Sequence, residues 1–445
     1  MSGRPADRPD AAAARDAPAA IPPPPRPLRV AMVTTFYPPF AFGGDGEYVR
    51  RLAHALARRG HAVEVVHDVD AYRALGGPAP AAPAAEPPGV TVHALESKAP
   101  VLSCLATHQL GRPLVHGRRI RRILARGFDV IHFHNVSLVG GPGVLAYGAG
   151  VKLYTAHEHW LVCPMHTLWR HGRELCTGRQ CVRCALAYRR PPQLWRAGSL
   201  LARASRHVDA FIALSRFSAD KHAEFGFAPP MTVMAPFLPD APDGPPAAPG
   251  GRPYVLFVGR LERIKGLQDV IPLFDAASPA DLWVAGTGTY EPALRRLAAG
   301  RSSVRFLGHR PPEELPGLYR GAAALVAPSI CYEVFPLVVL EAFQQGLPVI
   351  ARRLGPYPDI VAQSGGGLLF EDRTELAAAI GSLVTDPARR AALGAAARAA
   401  FRARWSEEAA LAAYLGLVRA SAARRGLRAV VEALPAAPED ARPER

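Results

Sequence analysis

Short apolar stretches alternate with helical ones twice along this chain, and a Pro/Gly-rich segment separates the two series. "LRVAMVTTFYPP" (28–39) reads as a buried strand running into a loop; "GEYVRRLAHALARRGHAVEVVHD" then reads as a helix, a stop at Gly60 and a second strand. Parallel neighbours need a crossover connection, and a helix supplies it, so repetition of this kind marks a parallel sheet. "FDVIHFHN" (128–135), "VKLYTAHE" (151–158) and "VDAFIALS" (208–215) continue the first series. "PDAPDGPPAAPGGRP" (239–253) cannot be core and reads as a linker. The alternation restarts with "YVLFVGR", a helix around Leu267 to Phe274, "DLWVAG", "YEPALRRLAAG", "SVRFLG", "PPEELPGLYRG" and "AALVAPS". After "GGGLLF", two Ala-rich helices run to about residue 433. The expectation is two doubly wound α/β domains, residues 28–238 and 254–433, with a ligand cleft between them at the carboxyl ends of the strands.

The ends and the surface carry their own signals. Residues 1–27, rich in Ala, Pro and Arg without periodicity, read as a disordered arm, and residues 434–445 as a disordered tail. "GGPAPAAPAAEPPG" (76–89) is a loop insertion. The arm has no apolar core of a secretory signal. The longest uncharged run, Val136 to Val151, is broken by Gly140, Gly141, Pro142, Gly143, Gly148 and Gly150 and is no membrane helix. These features point to a cytoplasmic chain. The net charge of +15 suits polyanionic partners such as nucleic acid, anionic headgroups or phosphorylated small molecules, or else reflects solvated arginines. "RPLVHGRRIRRILARG" sets Arg118, Arg119, Arg121, Arg122 and Arg126 around Leu114, Val115, Ile120, Ile123 and Leu124 at helical spacing. Such a helix fits an anionic membrane surface; its apolar face fits a sheet equally well.

"CYEVFPLVVLEAFQQGLPVI" (331–350) brackets an apolar run with Glu333 and Glu341. Pro336 suits the first position of a helix, and Gly346 with Pro348 suits its end. Glu333 then lies in the loop before the helix and Glu341 within it. The unpaired N–H groups and positive dipole end of a first turn attract an anionic group such as a diphosphate, while carboxylates accept hydrogen bonds from sugar and ribose hydroxyls. Alone, the spacing equally describes a helix cap and a solvated glutamate. "VGRLERIKG" adds Arg260 and Lys265 at the carboxyl end of a strand, two permanent cations that could hold a diphosphate and stabilise charge growing on it as a sugar–oxygen bond breaks. The plain alternative is surface charge, with Lys265 paired to Glu262. "AGTGTYE" offers Gly286 and Gly288 for close backbone approach, or simply a turn.

In this combination the chain resembles glycosyltransferase family 4, retaining enzymes of the GT-B fold, with two Rossmann-like domains facing a cleft. The matching stretches run in the family's order from residue 28 to about 410 and include "FYPPFAFGGDGEYVRRLAHALARRGHAVEVV", "DVIHFHN", "TAHEHWLVCP", "VGRLERIKG", "AGTGTYEPALRRL" and "RFLGHRPPEELPGLYRGAAALVAPSICYEVFPLVVLEAFQQGLPVIA". The resemblance implies that Arg260 and Lys265 hold the donor diphosphate, Glu333 contacts the donor sugar and Glu341 the ribose. Backbone around Phe335, Pro336, Leu337 and Val338 would hold phosphate, and Gly43 and Gly44 would approach the donor phosphate or acceptor. His157 resembles the family's histidine near the reacting sugar carbon, here followed by Glu158 rather than Asp. The family's usual Gly after the first Glu is absent from "EVFPL".

What the resemblance implies is hexosyl transfer from a nucleoside-diphosphate sugar to a glycan, lipid-linked or small-molecule acceptor, in cell-envelope, exopolysaccharide or glycoconjugate synthesis, at the inner membrane face if the basic helix binds lipid. Retention in this family resembles same-face attack, in which the leaving phosphate takes the acceptor's proton, so no protein nucleophile and no catalytic metal are expected. Asp68-Val69-Asp70, the only D-x-D, reads as a loop. A sugar-nucleotide epimerase or a phosphorylase would need other groups. A basic, zinc-containing nucleic-acid-binding protein would explain charge and cysteines but not the paired α/β domains, and no aromatic-interleaved basic stripe appears.

Six cysteines complete the reading, with Cys104 and Cys331 isolated. Cys163, Cys176, Cys181 and Cys184 cluster within 22 residues, ending in a C-x2-C, a pattern that suits a structural zinc. His166 or His171 could replace one ligand; a redox or disulfide pair and four unrelated thiols are the alternatives.

Overall fold

The computed structural model describes residues 26–80, 85–241, 244–247 and 251–434. The expected arm before Arg26 and the expected tail after Leu434 lie outside those residues, as do parts of the 76–89 insertion and of the linker.

The first sheet comprises β1 (Arg29–Val33), β2 (Ala62–Asp68), β3 (Val90–Leu95), β4 (Val130–Phe133) and β5 (Val151–Ala156), and its last two strands follow a small hairpin of β6 (Trp169–Arg170) and β7 (Glu174–Leu175). Those last strands are β8 (Ala210–Ala213) and β9 (Met231–Val233), and the spatial order is β3-β2-β1-β4-β5-β8-β9, parallel throughout. The second sheet takes β10 (Tyr254–Val258), β11 (Asp281–Ala285), β12 (Val304–Gly308), β13 (Ala324–Ala327), β14 (Val349–Arg352) and β15 (Gly367–Phe370) in the order β12-β11-β10-β13-β14-β15, again all parallel. Helices cover both faces, so inner strands such as β4 and β5 are buried at every residue, which is why they read as unbroken apolar runs rather than alternating ones. In each sheet the chain reverses direction once, between β1 and β4 and between β10 and β13. A crevice opens at such reversals, outside the carboxyl ends of the strands.

The Gly44–Arg58 helix turns Val49, Leu52, Ala53 and Leu56 onto the first sheet, all at most 1% exposed, and Gly60 then adopts φ +84 to end the turn. The region expected as one helix from Leu267 to Phe274 is instead a single α-helical turn, Leu267–Val270, followed by a 3-10 turn, Ile271–Leu273. Pro272 supplies no N–H and breaks the α-helical ladder there.

The end of the chain departs from the expected domain boundary. Helices Arg373–Thr385 and Pro387–Ala400 belong to the second lobe, where Leu376, Ile380 and Ala397 join its core. After a π-helical turn, Phe401–Trp405, the chain crosses back, and helices Glu407–Arg424 and Arg428–Glu432 pack on the first lobe. Leu411, Tyr414 and Val418 share a core with Val30, Met32, Val130 and Leu153. The second domain therefore does not run to residue 433; that helix covers a sheet face the first lobe leaves open. The two crossings run side by side: Leu238 N–H donates to the Trp405 carbonyl at 3.3 Å, and Leu238 pairs with Ser406 as a parallel bridge. Nearby, Glu407 binds Arg59 at 3.1 Å and Arg58 at 2.5 Å. At the other end of the first lobe, Arg26 pairs with Asp129 at 3.0 Å and reaches the Ala429 carbonyl at 3.2 Å.

The basic segment forms a helix, Gly117–Leu124, whose Ile120, Ile123 and Leu124 are at most 3% exposed, so its apolar face belongs to the core. Its arginines point outward, beside Leu114 and Val115, which are 57% and 47% exposed. Asp68 and Asp70 are not in a loop. Asp68 ends β2 and caps the Val69–Ala74 helix through the Ala71 N–H at 3.2 Å, while Asp70 accepts from Ser97 Oγ at 2.6 Å and lies 2.9 Å from His116 Nε2. Burial holds the Asp68 carboxyl up at about 7.

Candidate active site

A cavity of about 560 Å³ lies between the lobes, at both strand-order reversals. Gly43, Gly44 and His157 line it from the first lobe; Arg260, Lys265, Glu333, Phe335, Leu337, Val338 and Glu341 line it from the second.

The helix expected from the E-x7-E segment is Leu337–Gln344, with Pro336 as the extended residue before it rather than its first helical residue. No side chain caps this helix. The Val339 N–H donates to the Pro336 carbonyl at 3.0 Å, which leaves the N–H groups of the cavity-lining Leu337 and Val338 at the positive end of the helix dipole. Gly346 ends it at φ +70. Glu341, inside the helix, accepts from Tyr319 OH at 2.6 Å.

Lys265 and Glu333 form one ion pair, Nζ to Oε1 2.6 Å, and Ser329 Oγ donates to the same oxygen at 2.8 Å. Lys265 is thus bound to Glu333 and not to Glu262; it is Arg260, largely exposed, that meets Glu262 at 2.8 Å. Burial acts to raise the Glu333 carboxyl, but the Lys265 ammonium and the two donated hydrogen bonds outweigh it and leave the group below its ordinary value. Burial acts to lower Lys265, and Glu333 reverses that. Both groups are charged at neutral pH. The backbone fixes them: Ile330 N–H donates to the Ile264 carbonyl at 2.9 Å, and Gly266, at φ +78, packs so closely that a Cβ would stand 1.9 Å from the Pro328 oxygen.

Gly286 and Gly288 do not line the cavity. They sit behind the Arg260 loop, where a Cβ at Gly286 would meet the Gly259 oxygen at 2.0 Å and one at Gly288 the Leu261 oxygen at 2.4 Å. Close packing of two loops, rather than contact with a ligand, is what these glycines permit.

On the first lobe, Gly44 faces the start of the 337–344 helix, since a Cβ there would lie 2.8 Å from Leu337 Cδ1. His157 follows β5, with Nε2 3.0 Å from Nδ1 of the buried His134. Burial pushes His157 down to about 4, against the pull of Asp45, and pushes His134 well below the ordinary histidine value. Sequence reasoning missed Asp45, Asn135, Glu158, His166 and Ser329, all lining the cavity. Asn135 Nδ2 donates to Asp45 at 3.1 Å, and His166 Nδ1 lies 2.6 Å from Glu158. "HFHN" at a strand end was the available signal for His134 and Asn135; nothing local marks Asp45.

Cys163, Cys176, Cys181 and Cys184, all free thiols, converge on a second, much smaller cavity of about 20 Å³. Cys331 lines the main cavity. Among the described residues, only Asp68, Asp70 and His116 bring three metal-ligand atoms within 4.8 Å of one another, away from the main cavity.

The comparisons agree with this architecture. A family profile described as "Glycosyltransferase Family 4" matches residues 42–239, and one described as "Glycosyl transferases group 1" matches residues 243–400. The chain is 31% identical over 378 residues to D-inositol 3-phosphate glycosyltransferase of Arthrobacter sp. (strain FB24), covering 80% of this chain and 85% of that protein. It is 30% identical over 404 residues to glycogen synthase of Mycobacterium tuberculosis (strain H37Rv), covering 83% and 89%. Among solved structures it superposes on sucrose-phosphate synthase from Thermosynechococcus elongatus with a TM-score of 0.66 at 22% identity, covering 90% of this chain and all of that one. An Anabaena protein, Alr3699/HepE, in complex with UDP-glucose gives a TM-score of 0.59 at 16% identity, with the same coverage. The fold is GT-B, and the chain is a glycosyltransferase belonging to glycosyltransferase family 4.

Proposed function

We propose that the protein transfers a hexosyl group from a nucleoside-diphosphate sugar to a glycan, lipid-linked or small-molecule acceptor, with retention at the anomeric carbon. The observation that carries this reading is the Lys265–Glu333 pair held beside an uncapped helix start, with Arg260 and Glu341 on the same cavity wall. A diphosphate placed on the N–H groups of Leu337 and Val338 comes within reach of Lys265 and Arg260. Glu333, released from its lysine, then takes a sugar hydroxyl, and Glu341 takes the ribose. As the sugar–oxygen bond breaks, the two cations and the helix dipole stabilise the developing phosphate charge. His157 stands across the cavity, toward the reacting carbon. The leaving phosphate oxygen accepts the acceptor's proton on the face from which the acceptor attacks, so the configuration is kept without a covalent sugar–enzyme intermediate or a catalytic metal. The UDP-glucose complex of the similar Anabaena protein and the name of the inositol-phosphate relative support an activated-sugar donor.

The test is a thermal-shift screen of nucleotide sugars, followed by transfer assays and NMR of the product anomer. Lys265→Ala and Glu333→Ala each lower transfer by about 10²–10³-fold or more, as removal of one charge-stabilising donor does elsewhere. Wild-type turnover in either variant, or an inverted product, refutes the assignment.

We further propose that a lipid-linked acceptor is met at the inner membrane face. Val101, Leu102, Leu105 and Leu110 of the Pro100–Leu110 helix are 46–65% exposed, and they precede the outward arginines of the Gly117–Leu124 helix. Apolar side chains rimmed by cations suit an anionic bilayer surface. No helix among the described residues is long and apolar enough to cross a membrane. Flotation with vesicles should rise with anionic lipid content; indifference to that content refutes the surface.

A further inference from the structure

The loop after His157 contains the chain's densest group of thiols, and the glycosyl-transfer reading makes no use of it. Cys163 lies in a turn, Cys176 directly follows β7, and Cys181 and Cys184 lie one helical turn apart in the Cys181–Ala187 helix. These separate pieces bring all four cysteines to the wall of one cavity of about 20 Å³, together with groups such as Val162, Leu168 and Phe225. Such a space holds about one water-sized sphere.

The surroundings offer the group a backbone donor and a spare ring nitrogen. The His171 N–H donates to the Cys184 sulfur at 3.3 Å. A divalent cation binding here displaces the thiol protons, and an N–H donor such as that of His171 stabilises the thiolate that remains. His171 Nε2, in the same loop, is buried without a hydrogen-bond partner, an orphan nitrogen that can serve as a further ligand. His166 is not free for that role, being held by Glu158.

The loop also needs a fastener. Its regular structure is a pair of two-residue strands and a seven-residue helix. His166, Leu168 and His171 all hold positive φ, between 49 and 70°, a conformation that costs a side-chain-bearing residue about 1–2 kcal/mol each. Small units of this kind are stabilised by a metal or by disulfides. No three of the sulfurs lie mutually within 4.8 Å here. Bonds of about 2.3 Å to a tetrahedral ion would draw them toward the cavity that the four residues line.

We propose that Cys163, Cys176, Cys181 and Cys184 bind one divalent cation of the zinc class, and that this ion fastens the loop that carries His166 and Thr167 into the interlobe cavity. Zinc suits the site because it takes four thiolates in a tetrahedron and does no redox chemistry. The metal site stands on the thiol geometry alone; its effect on the acceptor rests on the functional reading above.

The test uses the full chain, purified with reductant after growth with added zinc. Elemental analysis should find one zinc per chain, and the double variant Cys181→Ser/Cys184→Ser should fall to buffer background. Replacement by Co²⁺ in the parent should give the intense sulfur-to-cobalt charge-transfer band and the d–d bands of tetrahedral thiolate coordination, a readout that does not depend on the variant folding. Parent protein without zinc, cobalt spectra without the charge-transfer band, full zinc in the double variant, or disulfides among these four cysteines in non-reduced peptide maps would each overturn the site. A chelated protein with unchanged acceptor KM would overturn the fastening role while leaving the metal site intact.

Discussion

Glu333 and Lys265 neutralise one another in the ligand-free cleft, so each is already positioned and already desolvated before a donor arrives. That arrangement was half legible in the sequence. Two cations after a strand and two carboxylates around a helix start are local patterns, and the helix could be placed to within a residue from Pro336 before it and Gly346 after it. The pairing of Lys265 with Glu333 across 68 positions could not be read, because nearby Glu262 was an equally good partner until the second sheet set the loops side by side. Gly286 and Gly288 failed for the same reason: glycine permits close approach, and only the fold says to what. His134 shows how a neighbour can govern a cavity residue. Its Nε2 is buried without a partner, and a buried unmade N–H is costly, so the proton belongs on Nδ1, donated to His157 Nε2. His157 then presents Nδ1–H. We expect His134→Asn, which keeps a donor near Nδ1, to retain most activity and His134→Ala to lose about tenfold or more in kcat, a typical share for one oriented group. Nitrogen-15 NMR should show the His157 Nδ1–H tautomer in the parent and in His134→Asn; the Nε2–H tautomer in the parent contradicts this.

Among elements, the strands were legible because burial on both faces leaves an apolar run that needs no neighbour to be recognised. Helices were read less well wherever their partner lay in the other lobe. The Glu407–Arg424 helix reads as one more Ala-rich helix, and nothing in its own sequence says which sheet it covers. Its anchor can be tested. Leu411 is fully buried against the first lobe's sheet, and Leu411→Ala should cost about 2–5 kcal/mol. Denaturant unfolding measures the loss, and limited proteolysis should then cut near the 401–405 turn first. A midpoint unchanged from the parent would show that the helix is not part of the first lobe's core.

For the molecule as a whole, two α/β lobes followed from the alternation, while the return crossing did not. Its charge balance predicts how it fails in acid. Burial holds His61, His67, His108 and His157 at about 4 and His132 and His159 at about 3. Each binds a proton when unfolded, below pH ~6.5, that it refuses when folded, so stability falls as pH falls through that range, by up to ~1.4 kcal/mol per pH unit for each histidine. Asp68, held up at about 7, runs the opposite way and offsets one of them. The remaining slope, on the order of 7 kcal/mol per pH unit, exhausts a typical stability of about 5–15 kcal/mol within about two pH units below 6.5. Tryptophan fluorescence against pH should show cooperative unfolding between about pH 6 and 4; a flat trace down to pH 4 contradicts it. The paired crossings at Leu238 and Ser406 have a further consequence. Because the lobes are joined twice, and Arg26 touches the Ala429 carbonyl, the covalent order of the chain is not what holds the architecture together. The ends could be spliced and the polypeptide reopened in the Pro/Gly segment, giving a circular permutant in which the 401–407 segment alone carries the backbone between halves that still meet around the same cleft.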